Sequence, residues 1–140
     1  TSTPICAGEN HYLAYGFRRM LEIGAVDIVM PDLQKAGGLG EGQRIANLAN
    51  LYYTPFAPHM VASFLGAMAA AHVCASVSNF LILEWQSYFH TNPMFKEIVT
   101  YDGEWVKDSY ITLSEKPGIG VDINETAMKK YAVAGVPFCE

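Results

Sequence analysis

The sequence alternates short apolar runs with helix-like segments, and this regular order limits the folds open to the chain more than any other feature. The apolar runs occupy residues 4–7, 26–30, 54–57 and 80–84. The second and fourth runs are almost continuous in apolar residues, as expected for parallel strands covered on both faces. Strands that alternate with helices at this spacing predict an α/β fold with right-handed βαβ units.

Three helical segments separate these runs. Residues 12–23 carry apolar side chains on one face and end at Gly24, which suits a helix C-terminus. Residues 41–51 repeat the pattern, and residues 63–78 are rich in alanine, with Ser63 as a suitable N-cap. Each predicted strand is therefore joined to the next by a helix.

The composition changes after residue 88. We predict a β-hairpin between residues 100–106 and residues 109–113, followed by a turn at residues 116–120. A short last helix over residues 124–131 should be capped by Asn124 and end near Tyr131. We therefore expect two parts, a βα part over residues 1–88 and a smaller C-terminal segment over residues 89–140.

Composition and charge narrow the possible functions. The chain has 140 residues, is 51% hydrophobic and only 16% charged, so it must bury a core. A net charge of −5 without a basic cluster argues against a nucleic-acid partner. The apolar tract 61–85 is long enough to raise the possibility of a membrane helix, but polar residues interrupt it. We predict a helix followed by a strand there, and no membrane partner.

Cys6, Cys74 and Cys139 are odd in number and widely spaced, which fits neither a disulfide framework nor a zinc site. We predict reduced thiols in the core of a cytoplasmic protein. The chain does not start with a basic segment followed by an apolar one, so we expect no signal peptide.

An ionisable residue stands at or just beyond the end of each predicted strand: Glu9, Asp32, His59 and Glu84. Their separations are 23, 27 and 25 residues, one βα unit each time. The carboxyl ends of barrel strands meet on one face, so these side chains should line one pocket. Taken singly, Asp32 could be a turn or cap residue and His59 a loop histidine. Glu84 is harder to explain structurally, because a carboxylate at the end of a buried strand needs partners.

The glycine-rich stretch at residues 30–42 raises the alternative of a phosphate-binding loop. Its glycines stand at positions 37, 38, 40 and 42, and Gln43 occupies the place of the third glycine of a dinucleotide fingerprint. No Gly-Lys-Ser/Thr follows either. We instead predict a tight turn at Gly37 and Gly38 into a helix that begins near Glu41.

Together with the strand ends, five motifs resemble the C-terminal portion of the mandelate racemase subgroup of the enolase superfamily. The motifs are AGEN at 7–10, VDIVMPD at 26–32, KAGG at 35–38, APH at 57–59 and NFLILE at 79–84. The resemblance implies the C-terminal half of a (β/α)8-type barrel, with about four parallel strands. It also implies that the hairpin and helix tail belongs to a capping domain.

The resemblance implies a role for each strand-end residue. Glu9 matches the last of three carboxylates that hold a catalytic Mg²⁺, and Asp32 with His59 matches a dyad in which the histidine transfers a proton. Glu84 matches a residue that hydrogen-bonds the substrate carboxylate as it becomes an enediolate. Lys35 matches a position at the edge of the site, where we expect it to bind substrate. His11, next to the metal ligand, contacts substrate or has a structural role.

Three shorter matches favour an acid-sugar dehydratase, a hydro-lyase: GENH at 8–11, YGF at 15–17 and LEW at 83–85. Such an enzyme removes the proton alpha to a carboxylate and eliminates the beta hydroxyl, which gives a 2-keto-3-deoxy acid. A racemase or epimerase of the same subgroup, and a non-catalytic α/β fragment, are the alternatives. A racemase would place a lysine of an earlier strand opposite the dyad, and this chain lacks that strand.

A complete barrel takes about 250 residues, so the resemblance implies an N-terminal half of the barrel and most of a capping domain outside this sequence. We expect the 140-residue chain alone to be inactive, because one carboxylate is a poor Mg²⁺ site. An open sheet edge should pair with the missing half or with another copy, and we expect a homo-oligomer.

Overall fold

The computed structural model describes residues 2–101 and 104–138, apart from the side chains of residues 89 and 90. In chain order, its elements are β1 (Cys6–Ala7), α1 (Leu13–Glu22), β2 (Ile28–Val29), α2 (Leu33–Ala36), α3 (Gly38–Asn50), α4 (Phe64–Ala75), α5 (Tyr88–Thr91), α6 (Pro93–Glu97), β3 (Val99–Thr100), β4 (Asp122–Ile123) and α7 (Glu125–Lys130).

The four predicted apolar runs lie side by side and parallel, in chain order. β1 pairs with β2 in parallel, with Ala7 opposite Val29. Val29 also forms a parallel bridge to Phe56, and Phe56 forms another to Phe80. A helix precedes each new strand position, so the α/β fold expected from the sequence is confirmed.

The helices cover one face of this sheet and bury its apolar side chains. Phe17 of α1, Ile45 of α3 and Phe56 are all completely buried in the same core. Gly42 lets α3 approach α2 closely, because a Cβ at this position would lie only 2.7 Å from Leu33 Cδ2. Small residues on α3 therefore allow close packing.

Helix limits agree with the sequence at several caps. Gly24 follows α1 with φ of 58°, and Ser63 Oγ accepts the Gly66 N–H at 3.4 Å. Asn124 Oδ1 accepts the Ala127 N–H at 3.1 Å, as expected for the cap of the last helix. The start of α3 was expected near Glu41, but the helix begins at Gly38. Gly37 and Gly38 have φ angles of 119° and 83°, which glycine adopts readily, so the tight turn predicted at these two residues is confirmed.

The start of α1 is capped from another helix. Its N-cap residue, Tyr12, forms no side-chain cap. Instead, Glu41 Oε2 of α3 accepts the Ala14 N–H at 2.9 Å, and Glu41 also pairs with Arg44. Two hydrogen bonds hold the pKa of the Glu41 carboxyl below its usual range. The one from the Ala14 N–H has the larger effect, and the one from the Arg44 side chain has the next largest. Glu41 thus joins α1 to α3.

A Glu41→Gln substitution is expected to lower stability at neutral pH. The folded-state pKa of Glu41 is lowered from 4.5, so its stabilising contribution is present above that pH and is lost as pH falls through the folded pKa. Urea midpoints of wild type and variant should therefore differ most near pH 7 and converge in acid. A difference that stayed constant down to pH 3 would contradict this linkage.

The fourth run is exposed, contrary to the expectation that it is covered on both faces. Phe80, Leu81 and Ile82 are 42%, 54% and 63% exposed. Among the described residues, no further strand pairs with the outer side of this run. The run follows α4, as predicted.

Across residues 2–101 and 104–138, no helix combines the length and apolar character needed to cross a membrane.

The cysteine prediction is wrong in part. Cys74 is buried in α4, and burial raises the pKa of its thiol to about 12, so it stays protonated at neutral pH. Cys6, in contrast, is exposed, because the described chain places no strand on the outer side of β1. Cys139 lies outside the described residues.

The C-terminal tail contains an antiparallel pair and a last helix, but the predicted partner strand is wrong. Thr100 of β3 pairs with Asp122 of β4, and not with residues 109–113. One antiparallel bridge, Lys107 to Tyr110, forms within the predicted hairpin, and residues 102–103 lie outside the described part. The tail packs on α4 through Trp105, whose ring stacks on Phe64 at 3.8 Å between centroids. The division at residue 88 stays a prediction.

Candidate active site

The residues that follow the parallel strands meet at one end of the sheet. Asp32 and His59 each stand three residues beyond a paired position, Val29 and Phe56 respectively, and they form a parallel bridge of their own. The strand register therefore continues to the site. Because parallel strands place their carboxyl ends on the same edge, Glu9, two residues beyond β1, reaches the same place.

The His59 ring lies between carboxylates. Its Nδ1 is 3.0 Å from Asp32 Oδ2, and its Nε2 is 2.7 Å from Glu9 Oε2 and 3.8 Å from Glu84 Oε2. A neutral imidazole donates from only one nitrogen, so the protonated ring satisfies both short contacts. A ring held at Nδ1 and facing carboxylates at Nε2 can give up or accept a proton at Nε2. The structure thus brings together all four strand-end residues.

Asp32 has both of the roles weighed from the sequence. It is buried, with 4% of its surface exposed, and caps α2: its Oδ1 accepts the N–H groups of Gln34 at 3.1 Å and Lys35 at 3.3 Å. Its other oxygen faces His59. A carboxylate anchored in this way orients the imidazole and sets its tautomer.

Glu84 is held at both carboxylate oxygens. Its Oε2 accepts the Met60 N–H at 2.9 Å, and its Oε1 accepts the Gln86 Nε2–H at 2.6 Å. These two hydrogen bonds supply the partners that the Glu84 carboxylate was expected to need at the end of its strand. Gln86 was not identified from the sequence, although its position two residues after Glu84 is a signal, since alternate residues of an extended run share a face.

The two residues predicted to contact substrate differ in position. Lys35 lies at the edge of the site, with Nζ 3.6 Å from Asp32 Oδ2 and 44% of its side chain exposed. The His11 ring packs edge-on against Phe17, with 5.6 Å between ring centroids. Among the described residues, no hydrogen bond joins His11 to the Glu9–His59 group. The structure therefore places Lys35 in the cluster and His11 beside it.

Glu9 is the predicted metal ligand, and its side chain is 39% exposed. Within residues 2–101 and 104–138, no three His, Cys, Asp or Glu side chains are arranged to hold a metal ion. Magnesium prefers a nearly octahedral shell of oxygens. The described residues thus supply one carboxylate for such an ion and do not complete a site for it.

Curated relatives cover nearly all of this chain. It is 41% identical over 135 residues to the D-xylonate dehydratase of Haloferax volcanii, and the matched region covers 96% of this chain and 32% of the relative. It is 33% identical over 128 residues to the D-galactonate dehydratase of Variovorax paradoxus, and that match covers 89% of this chain and 34% of the relative. The chain therefore spans about a third of the length of these dehydratases.

A solved structure has the same fold. The mandelate racemase/muconate lactonizing enzyme-like protein from Rubrobacter xylanophilus superposes with a TM-score of 0.90 and 51% identity, covering 99% of this chain and 35% of that one. Residues 1–127 match the family described as enolase C-terminal domain-like. The resemblance inferred from the strand-end motifs is confirmed, and the chain belongs to the enolase C-terminal domain-like family.

Proposed function

We propose that this chain is part of a Mg²⁺-dependent acid-sugar dehydratase. The enzyme would break the C–H bond alpha to the carboxylate and the C–O bond of the beta hydroxyl, release water, and yield a 2-keto-3-deoxy acid after tautomerisation. The observation that carries the proposal is the His59 ring held between Asp32 and the carboxylates of Glu9 and Glu84. The two dehydratases that cover most of this chain support it.

In the proposed reaction, His59 Nε2 moves the proton, either as the base at the alpha carbon or as the acid for the leaving hydroxyl. Asp32 orients the ring from Nδ1, where it lies 3.0 Å away. Glu84 hydrogen-bonds the substrate carboxylate as negative charge develops. Glu9 would hold Mg²⁺ together with ligands that lie outside the described residues, and the bound ion would supply positive charge beside the substrate carboxylate. Lys35 and His11 bind substrate at the edge of the site.

A direct test is to screen the complete protein with Mg²⁺ against a library of acid sugars that includes D-xylonate and D-galactonate. We expect a 2-keto product for at least one member. Exchange of the alpha proton with solvent deuterium, without loss of water, would instead indicate the alternative, a racemase or epimerase. If no member of the library gave either product or exchange, both enzyme proposals would be rejected. The remaining interpretation would be a non-catalytic α/β fragment.

Asp32→Asn in the complete protein should separate the two roles of Asp32. Asparagine is as good an N-cap as aspartate, so α2 and the unfolding midpoint should be preserved. The amide no longer offers the His59 ring a charged partner, and turnover should fall by about 10²-fold or more. The assay is steady-state kinetics beside a urea titration.

Asp27→Asn is the matched control for that variant. The Asp27 carboxylate also accepts a backbone N–H, that of Ile5 at 2.7 Å, but it stands before β2 and away from His59. Turnover should be close to wild type. Equal losses in the two variants would contradict the orienting role of Asp32.

We also propose that the exposed outer edge of the fourth run, residues 80–82, is covered in the complete protein by further chain or by a second copy. An unpaired apolar strand edge favours association. The isolated 140-residue chain should therefore self-associate in light scattering and show no turnover. A monodisperse monomer would contradict this proposal.

A further inference from the structure

Gln86 makes a short hydrogen bond to a residue of the proposed site. Its Nε2 donates to Glu84 Oε1 at 2.6 Å, and its side chain is half-buried. None of the roles assigned above uses Gln86.

The two donors to Glu84 act on different oxygens. The Met60 N–H binds Oε2 at 2.9 Å, and because Met60 directly follows His59, this donor belongs to the segment that carries the ring. Gln86 binds Oε1 from the other side. The last torsion of a glutamate side chain is broad, so one donor alone leaves the carboxylate plane poorly set. Two donors on separate oxygens define both its position and its plane.

The orientation matters because Oε2 is the oxygen nearest the ring, 3.8 Å from His59 Nε2. A rotation of the carboxylate would change the distance between Glu84 and the proton-carrying nitrogen. We propose that Gln86 is a positioning residue, which fixes the Glu84 carboxylate relative to His59 for the reaction. This inference rests on the proposed dehydratase function.

The test uses three variants of the complete protein: Gln86→Leu, Glu84→Gln and the double variant. Leucine removes the donor and keeps a similar volume. We expect kcat to fall about tenfold in Q86L, the effect of losing one charge-assisted hydrogen bond, with KM little changed. In the E84Q background, Q86L should add no further loss, since Gln86 acts through Glu84. Losses that multiply would overturn the proposal.

Gln43→Leu is the matched control, because this exposed glutamine of α3 donates to Ser76 Oγ at 3.4 Å, outside the site. It should keep wild-type kcat. The urea midpoints of Q86L and Q43L should both equal that of wild type, which separates positioning from a loss of folded protein. A Q86L variant that loses stability in proportion to its kcat would count against a positioning role.

A crystal structure of the Q86L variant gives a readout that does not depend on turnover. We expect the Glu84 carboxylate to rotate, so that the Met60 N–H contact lengthens beyond 3.5 Å from its present 2.9 Å. An unmoved carboxylate would overturn the inference. If wild type dehydrates no acid sugar, the proposed function fails by itself, and the position of Glu84 still decides what Gln86 does.

Discussion

Asparagine in place of His59 is expected to lower kcat of the complete protein by about 10²–10⁴-fold, the usual contribution of a positioned acid or base. The substitution removes Nε2, which lies 2.7 Å from Glu9 and 3.8 Å from Glu84 and is the proposed carrier of the proton. Asparagine keeps a polar side chain at this position, and the main-chain bond from residue 59 to Pro31 O, 3.1 Å long, does not depend on the ring. The fold should therefore be retained.

The measurement is steady-state dehydration of the best acid sugar, together with exchange of its alpha proton in deuterated water. Loss of both activities would place His59 at the alpha carbon, and loss of dehydration with exchange retained would place it at the leaving hydroxyl. Circular dichroism and a urea titration should match wild type. Unchanged dehydration in the H59N variant would remove the Asp32–His59 pair from the mechanism.

Phe56→Ala is expected to lower the free energy of unfolding by about 3–5 kcal/mol. Phe56 is completely buried and occupies the middle of the sheet, bridged to Val29 on one side and to Phe80 on the other. Alanine would leave a cavity in the core cluster around Phe56 that neighbouring side chains fill only in part. Because His59 follows three residues later, the same variant should also lose turnover.

Urea denaturation of the complete protein measures this effect, with Tyr15→Ala as the control. Tyr15 is an aromatic residue on α1 with 75% of its surface exposed, so its removal should change the free energy by no more than about 0.5 kcal/mol. A loss below about 1 kcal/mol for F56A would contradict the assigned place of Phe56 in the core.

The order of strands, their direction and the meeting of the four strand-end residues could be predicted from the sequence. Apolar periodicity is a local property, because each strand or helix must present one face to the core whatever its partner is. The separations of Glu9, Asp32, His59 and Glu84 then follow from the length of a βα unit. The spacing thus predicted a shared pocket, and the resemblance to the enolase superfamily implied the Asp32–His59 pair, whose atoms lie 3.0 Å apart.

Other features depend on which distant segments meet, and local pattern does not encode that choice. Thr100 was expected to pair within a hairpin, but the packing of α6 and α7 brings it to Asp122. Glu41 caps α1 because α1 and α3 are neighbours, a relation visible only once the sheet is formed. The burial of residues 80–82 was overestimated for the same reason, since it depends on a neighbour that the described chain does not provide.

The sequence by itself therefore determined the βα order and the four strand-end side chains, because both follow from periodicity along the chain. Only the tertiary structure decided how those side chains are held. It placed Asp32 as a cap and a ring partner at once, and it set Gln86 and the Met60 N–H on the two oxygens of Glu84. Such contacts depend on distances of a few tenths of an ångström between packed segments, which only the three-dimensional arrangement specifies.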